Sequence, residues 1–376
     1  MPLAKRSYFV QLDRARVRSA LRQQLLAWFE ANRRPLPWRR DRDPYRIWVS
    51  QVMLQQTQVV TVIPFFERFL RAFPSIADLA AADKDAVLRL WEGLGYYRRA
   101  CHLHEAAQRL VADHGGRIPD DPACLQALPG FGRYTRNAVL SQAFDRRLPI
   151  LEANSQRVLA RLYGVTDDPR RGPQRAYLWE KARRLLPMRR VGDFNQALME
   201  LGALVCLPVT PRCSACPIAS CCEARQRGLQ DQIPPVRRHV HTVAVEEAAL
   251  VVWKKRNVLL VQRPEPGQWA GLWEFPHGPK EPAESLEEAA LRCVRDRTGI
   301  DADVKHELMT IRHGITRYRI TLTCFEATFR SGSFRSTCYA NGRWVKPEEL
   351  ASYPVSAPQR RLAKALAGPS RQRHMF

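Results

Sequence analysis

The chain has 376 residues, a length that predicts two domains or three small ones rather than a single compact core. Hydrophobic residues make up 45% of the composition and charged residues 26%, which excludes a chain that is disordered throughout. Lys and Arg number 60 against 37 Asp and Glu, and the resulting formal net charge of +23 favours an acidic polymer as partner, with nucleic acid the leading choice.

We expect a protein of a reducing compartment. No run approaches the ~18 apolar residues of a membrane span, and the N-terminal segment lacks the apolar core of a secretory signal. Ten cysteines in a chain this long are too sparse for a disulfide scaffold, and four of them lie between Cys213 and Cys222. These features predict a monomeric protein that is cytoplasmic and nucleoid-associated, without membrane contact.

The first half of the chain has the periodicity of amphipathic helices. From Val17 to about Leu207, apolar residues recur at spacings of three and four, as in Leu21 and Leu25. Alternating stretches are few, so the pattern predicts an all-α region over residues 15–205.

Within this region, residues 128–135 (LPGFGRYT) lie between two helical patterns. Gly130 and Gly132 would let backbone amides approach an anion at the N-terminus of a helix. The pattern predicts a helix-hairpin-helix that binds the DNA backbone. An ordinary glycine turn is the alternative, and the positive net charge favours DNA binding.

Residues 206–222 carry four thiols at the spacing of metal ligands, with six, two and five residues between them: Cys206, Cys213, Cys216 and Cys222. A structural zinc ion would use the same four sulfurs. Cys221 competes with Cys222 as the fourth ligand, and the loop length favours Cys222.

A basic linker and a second domain follow. Residues 223–242 have no apolar periodicity and contain two prolines and several arginines, which predicts a linker. Beyond it, strand patterns rich in β-branched and aromatic residues flank one helical pattern at Ser285–Arg297; the strand patterns are Val243–Trp253, Val258–Gln262 and Tyr318–Phe329. They predict an α+β domain over residues 243–366, so the chain is multidomain.

Residues 35–222 resemble the helix-hairpin-helix, iron-sulfur superfamily of base-excision DNA glycosylases, and specifically the MutY-type adenine DNA glycosylases. The resemblance is carried by the hairpin, the cysteine loop and four further motifs: LPWR at 36–39, PYRIWVS at 44–50, VMLQQTQV at 52–59 and GLGYY at 93–97. It implies hydrolysis of the N-glycosidic bond of a purine flipped out of mismatched or damaged double-stranded DNA. The family default is adenine opposite guanine or 8-oxoguanine.

The resemblance also implies a cofactor and a DNA-binding surface. For the four cysteines, the resemblance favours a structural 4Fe-4S cluster over a zinc ion. The hairpin amides would bind a phosphate, and several side chains would contact the DNA or fill the space left by the extruded base. The implied DNA-binding residues are Trp38, Arg39, Gln55, Gln56, Thr57, Tyr96, Gly130 and Gly132.

The position of the family's general acid holds an amide. The family places a glutamate directly before the VMLQQT run, where this chain has Gln51. An amide cannot donate a proton at useful acidity. No Asp or Glu occurs between Asp43 and Glu67 to replace it.

The family's second carboxylate, an aspartate in an Asp-Gly-Asn stretch, corresponds to Glu152, whose extra methylene displaces the charge by about 1 Å. Ala153 replaces the glycine, which suggests a reshaped backbone, and Asn154 is retained and could orient the carboxylate or the sugar. Tyr134 stands where bifunctional relatives carry a Schiff-base lysine, so lyase chemistry is not expected.

Residues 243–366 resemble the Nudix-like domain with which MutY-type enzymes read the opposite base. Cys293, Asp296 and Arg297 occupy positions where the Nudix hydrolase needs glutamates for magnesium, so we do not expect hydrolase activity. The family's lesion-reading Phe-Ser-His loop corresponds to residues 315–317, where Arg317 is assigned to DNA; a plain basic β-turn is the alternative.

Three functions therefore compete. The preferred one is a MutY-type glycosylase with adenine as default substrate, because the motifs around Gln51 are intact. The same enzyme could instead act on an N3- or N7-alkylated purine, whose positive charge replaces protonation. The third is a catalytically silent paralogue that binds lesions.

Overall fold

The computed structural model describes residues 14–235 and 242–368. Among these residues the chain separates into two compact units. The first takes in the residues up to Ala80 and those from Glu105 to 235, and the second takes in Ala81–His104 and the residues from 242 onward. None of the helices in the two described ranges combines the length and apolarity needed to cross a bilayer.

The part of the chain before the sheet is helical, which confirms the predicted all-α region. Its helices are α1 (Ala15–Asn32), α2 (Pro44–Met53), α3 (Val59–Ala72), α4 (Ile76–Ala81), α5 (Lys84–Trp91), α6 (Arg98–His114), α7 (Pro122–Gln126), α8 (Arg133–Phe144), α9 (Ala153–Leu162), α10 (Gly172–Leu185), α11 (Val191–Leu204) and α12 (Glu223–Gln226).

Helices α1, α9, α10 and α11 share one apolar core. Leu21, Leu159 and Leu198 are buried in it, as the spacing of three and four predicted. Glycine at position 202 of α11 is required for this packing, because an added Cβ would lie 2.6 Å from the Cβ of Asn154. Gly202 therefore lets α11 approach the first turn of α9.

The segment predicted as a linker is folded over its described first part. Helix α12 begins at Glu223, and Ala224 and Ile233 are buried in the helical core. Arg161 Nε donates to the Ile233 carbonyl at 2.7 Å. Two isolated apolar residues produce no periodicity, which is why the sequence pattern missed this contact. The remaining linker residues 236–241 lie outside the described residues.

The second unit contains a mixed sheet, and its strands are β1 (Val243–Lys254), β2 (Asn257–Gln262), β3 (Trp273–Glu274), β4 (His277–Pro279), β5 (Ile300–Ile315), β6 (Tyr318–Gly332) and β7 (Asn341–Val345). The order is β3-β2-β1-β6-β5, with β4 on β1 and β7 on β2. β1 and β6 run parallel and the other pairs are antiparallel.

Helices cover both faces of this sheet. Alternate residues of β1 enter two different cores, because successive side chains of a strand point to opposite faces. Leu250 packs in the core of α13 (Leu286–Thr298), and Val251 packs in the core of α14 (Ala357–Ala367). The predicted α+β domain is confirmed.

Residues 81–104 group with the sheet and not with the helices that surround them in sequence. Arg360 donates from Nε and Nη2 to the two carboxylate oxygens of Glu92, both at 2.8 Å. Trp273 Nε1 donates to Asp85 at 3.3 Å. The sequence-based division at residue 205 did not anticipate these long-range polar contacts.

Candidate active site

Helix α2 packs on α8 and thereby brings Gln51 to Tyr134. The Tyr134 hydroxyl donates to Gln51 Oε1 at 2.5 Å, and Gln51 is 2% exposed. Burial, and to a smaller extent the negative charge of Glu152, raise the pKa of Tyr134, so the phenol stays protonated. Trp48 stacks on Phe131 with ring centroids 5.1 Å apart, which holds α2 against the hairpin. The sequence named Gln51 and Tyr134 separately but did not predict their contact.

Glu152 is the N-cap residue of α9. Its carboxylate accepts hydrogen bonds from the backbone amides of Ser155 at 2.7 Å and Asn154 at 2.8 Å. Ser155 Oγ accepts from the Glu152 amide at 2.9 Å, which completes a reciprocal capping box. Ala153 is the first helical residue and its φ is not positive, so this position does not require glycine. The carboxylate therefore lies at the positive end of a helix.

The surroundings of Glu152 control both its charge and its orientation. Burial raises the pKa of its carboxyl group, and the two backbone hydrogen bonds and Arg157 oppose this shift only in part. Asn154 Nδ2 lies 3.3 Å from Glu152 Oε2, and Asn154 Oδ1 accepts from Arg157 Nη2 at 2.8 Å. The structure thus brings together the predicted Glu152 and Asn154 and adds Arg157, which sequence reasoning missed.

These residues can assist the sugar side of a glycosidic hydrolysis, but they cannot protonate the departing base. The Glu152 carboxylate can stabilise a sugar cation or accept a proton from water. Gln51 and Tyr134 can donate hydrogen bonds, but neither is acidic enough to protonate a leaving base near neutral pH.

The two glycines of the hairpin have distinct local environments. Gly130 has φ of 75°, a left-handed conformation that favours glycine. Gly132 is the N-cap of α8, and nothing lies within 4 Å of a Cβ added there. Gln55 Nε2 donates to Thr135 Oγ1 at 3.1 Å, so the predicted gap-filling segment is tied to the first turn of α8.

Three loops predicted to contact DNA each contain a non-glycine residue with a left-handed backbone. The φ values are 58° at Gln56, 48° at Tyr96 and 50° at Thr316, the neighbour of Arg317. Such conformations cost about 1–3 kcal/mol each and are concentrated at binding and catalytic sites. Tyr96 is 49% exposed, and the Arg99 guanidinium lies 5.4 Å from its ring centroid.

Two predicted DNA-contacting residues have structural positions instead. Trp38 is 4% exposed and packs edge-on against Phe66. Arg39 donates to Glu200 Oε2 at 2.9 Å, and its side chain is 10% exposed. This corrects the expectation that Trp38 and Arg39 face DNA, because one side chain is in the core and the other is held by a buried carboxylate.

Glu200 was missed by sequence reasoning. It is 1% exposed on α11 and also accepts two hydrogen bonds from the Arg34 guanidinium, at 2.8 and 2.9 Å. Burial would raise its pKa, but the hydrogen bonds from Arg34 and Arg39 lower it to about 2. A lone glutamate in the apolar run ALMELGAL was the available signal, since a buried charge needs a partner.

The four predicted metal-binding cysteines line one cavity, and Cys221 does not: Cys206, Cys213, Cys216 and Cys222. Arg161, 2% exposed, places Nη1 at 3.3 Å from Cys206 Sγ and at 2.6 Å from the Leu207 carbonyl. Across residues 14–235 and 242–368, no three His, Cys, Asp or Glu side chains are grouped so as to hold a metal ion. The thiols therefore share a cavity without being gathered around one ion.

In the segment where Nudix hydrolases carry their magnesium ligands, the side chains of this chain are engaged in contacts within the protein. Glu284, in the same segment, accepts from Arg292 at 2.6 and 2.9 Å. Arg297 Nη1 donates to the His277 carbonyl at 2.8 Å, and Cys293 is buried. His277 lies between Glu247 and Glu274; burial would lower its pKa, but the two carboxylates raise it to about 9.

Known proteins match both parts of the chain. The model of the HhH-GPD superfamily base excision DNA repair protein matches residues 49–184, and that of the NUDIX domain matches residues 248–365. The adenine DNA glycosylase of Homo sapiens is 35% identical over 418 residues, covering 96% of this chain and 76% of that protein. That of Mus musculus is 34% identical, covering 92% and 77%.

Among solved structures, a thermostable thymine-DNA glycosylase is 29% identical with a TM-score of 0.51, covering 56% of this chain and 97% of that one. The family matches confirm the resemblance carried by the sequence motifs, and they confirm the predicted fold class, a helix-hairpin-helix part followed by a Nudix-like part. The chain belongs to the adenine DNA glycosylase family.

Proposed function

We propose that this protein, a DNA N-glycosylase of the MutY type, removes a base from mismatched or damaged double-stranded DNA, with adenine opposite guanine or 8-oxoguanine as reference substrate. The observation that carries the proposal is the Glu152 carboxylate, which is oriented by the capping box and Asn154. The negative charge of this carboxylate contributes to the raised pKa of Tyr134. We further propose that it acts as a monomer associated with the nucleoid.

Each residue has a distinct part in this proposal. Glu152 stabilises positive charge on the sugar and accepts the proton of the attacking water, while Asn154 maintains its orientation. The amides at Gly130 and Gly132 bind a phosphate, and Gln56 and Tyr96 fill the space of the extruded nucleotide. Gln55 and Thr57 are further proposed DNA contacts of the helical part, and Arg317 is a proposed DNA contact of the Nudix-like part. With Tyr134 in place of a lysine, the reaction ends at an abasic site.

We propose a 4Fe-4S cluster as the cofactor, held by Cys206, Cys213, Cys216 and Cys222. The four cysteine side chains line one cavity, and cysteine is the residue that binds iron-sulfur clusters, which supports this assignment. The cluster would supply structural order to the loop and the arginines around it.

The proposal is tested by single-turnover assays on duplexes carrying adenine opposite guanine or 8-oxoguanine, alkylated purines and other lesions, with abasic sites revealed by hot alkali. We expect cleavage that Glu152→Gln abolishes and no product trapped by borohydride. Adenine should be removed slowly, since general acids contribute about 10²–10⁴-fold. Binding of every duplex without cleavage of any would support the silent lesion-binding paralogue instead.

A further inference from the structure

We infer that Gln51, oriented by Tyr134, selects a base that leaves as an anion and carries a carbonyl oxygen beside its glycosidic nitrogen, as uracil and thymine do. The inference rests on the proposed function, since it assumes hydrolysis assisted by Glu152, and it specifies the class of base. The chemical basis is a hydrogen-bond donor where the family has an acid.

The contact with Tyr134 determines which end of the Gln51 amide remains for the substrate. Its length of 2.5 Å falls within the range of O–H···O hydrogen bonds and below the usual 2.7–3.2 Å of N–H···O bonds. The other neighbour of the hydroxyl is Met199 Sδ at 3.8 Å, a weak acceptor. The phenol therefore donates to the amide oxygen.

The amide nitrogen of Gln51 is then the free end. It donates to none of the described residues, although the residue is 2% exposed. The described residues offer this donor no acceptor, so an acceptor atom of a ligand is its available partner. A flipped base reaching Gln51 is consequently recognised through an acceptor atom.

This donor distinguishes three classes of leaving base. Adenine departs readily only when a ring nitrogen is protonated, and an amide cannot supply that proton. A cationic alkylated purine leaves without help, but its positive charge is repelled by the N–H dipole. Uracil and thymine depart as anions whose charge is delocalised onto the adjacent carbonyl oxygen, where an N–H donor stabilises it most.

The bond changes balance without an external acid. The C1′–N bond breaks and its electron pair passes to the ring nitrogen and to the carbonyl oxygen that accepts from Gln51 Nε2. Water attacks C1′, and its proton goes to the Glu152 carboxylate. The base anion then takes a proton from solvent, so the products are the neutral base and an abasic sugar.

Single-turnover rates on duplexes with uracil, thymine or adenine opposite guanine, and 7-methylguanine opposite cytosine, test the inference. We expect the wild type to release uracil and thymine about 100-fold faster than adenine. Gln51→Glu should reverse this preference, because a carboxylic acid protonates adenine and a carboxylate repels the uracil anion. Tyr134→Phe should slow uracil release about tenfold, because the amide is no longer oriented.

Gln24→Glu, an exposed site on α1, introduces the same chemical change away from the pocket and should leave all rates unchanged. Duplex affinity of each variant verifies that it is folded. Faster release of adenine or 7-methylguanine than of uracil by the wild type, or an unchanged preference in Gln51→Glu, would overturn the inference and leave the glycosylase proposal standing. Absence of cleavage on every duplex would reject the glycosylase proposal itself.

Discussion

At the scale of the residue, Glu152 combines the roles of helix cap and candidate catalytic carboxylate. The capping box uses both carboxylate oxygens, which accept from the amides of Asn154 and Ser155. Such a cap contributes about 1 kcal/mol and leaves the carboxylate with few alternative orientations. The extra methylene relative to aspartate is therefore accommodated by a specific set of hydrogen bonds.

The pKa of Glu152 predicts how the excision rate depends on pH. Because burial raises this pKa, the inactive protonated form persists to higher pH than for an ordinary glutamate. The rate should rise with pH through the raised pKa and then level off, since Gln51 supplies no acid whose deprotonation would reduce it. Single-turnover rates on the best substrate from about pH 4 to pH 9 measure this.

The Gln51→Glu variant is the matched comparison for this pH profile. On adenine its added carboxylic acid must be protonated to act, so a falling limb should appear at higher pH. A falling limb in the wild type would contradict the absence of an acid in the pocket.

At the scale of the element, α9 contacts both the candidate pocket and the cysteine cavity. Glu152 caps its N-terminus, and Arg157 Nε donates to the Cys206 carbonyl at 2.8 Å. Arg161, near its C-terminal end, contacts Cys206 Sγ and the carbonyls of the following loop. The order of the cysteine loop and the position of α9 should therefore depend on each other.

The cysteine cavity predicts which thiols are needed for the cofactor. Purified protein should contain iron and sulfide and be brown, and Cys213→Ser should lose colour and DNA affinity together. Cys221→Ser is the matched control, because Cys221 does not line the cavity, and it should keep both properties. Iron analysis, absorbance and duplex binding provide the measurements. Zinc without iron would refute the cluster.

At the scale of the whole molecule, the net charge of +23 predicts strongly salt-dependent DNA binding. The slope of the logarithm of the binding constant against the logarithm of the salt concentration should decrease in magnitude by about 0.9 for every phosphate that the protein no longer neutralises. Arg237 and Arg238, outside the described residues, lie in the basic segment between the two parts. Replacing both with alanine should lower the slope by up to about 2.

Titration of non-specific duplex by fluorescence anisotropy at several salt concentrations measures this slope. Arg183 and Arg184 serve as the control pair. Both side chains are exposed, and both already form an ion pair with Glu180. Their replacement should change the slope less. An unchanged slope in the Arg237 and Arg238 variant would mean that this segment does not touch DNA.

Helical periodicity and strand patterns predicted the fold class, the cysteine spacing predicted the four candidate ligands, and the resemblance of short motifs to known glycosylases implied the family and the missing acid at Gln51. Helical periodicity and short motifs are local properties, and an amide is not an acid in any fold. Packing between distant segments decided the rest: Tyr134 orients Gln51 across 83 residues, and Glu200 binds Arg39 across 161 residues. No local pattern encodes such contacts, because they arise only when separate helices meet in a core.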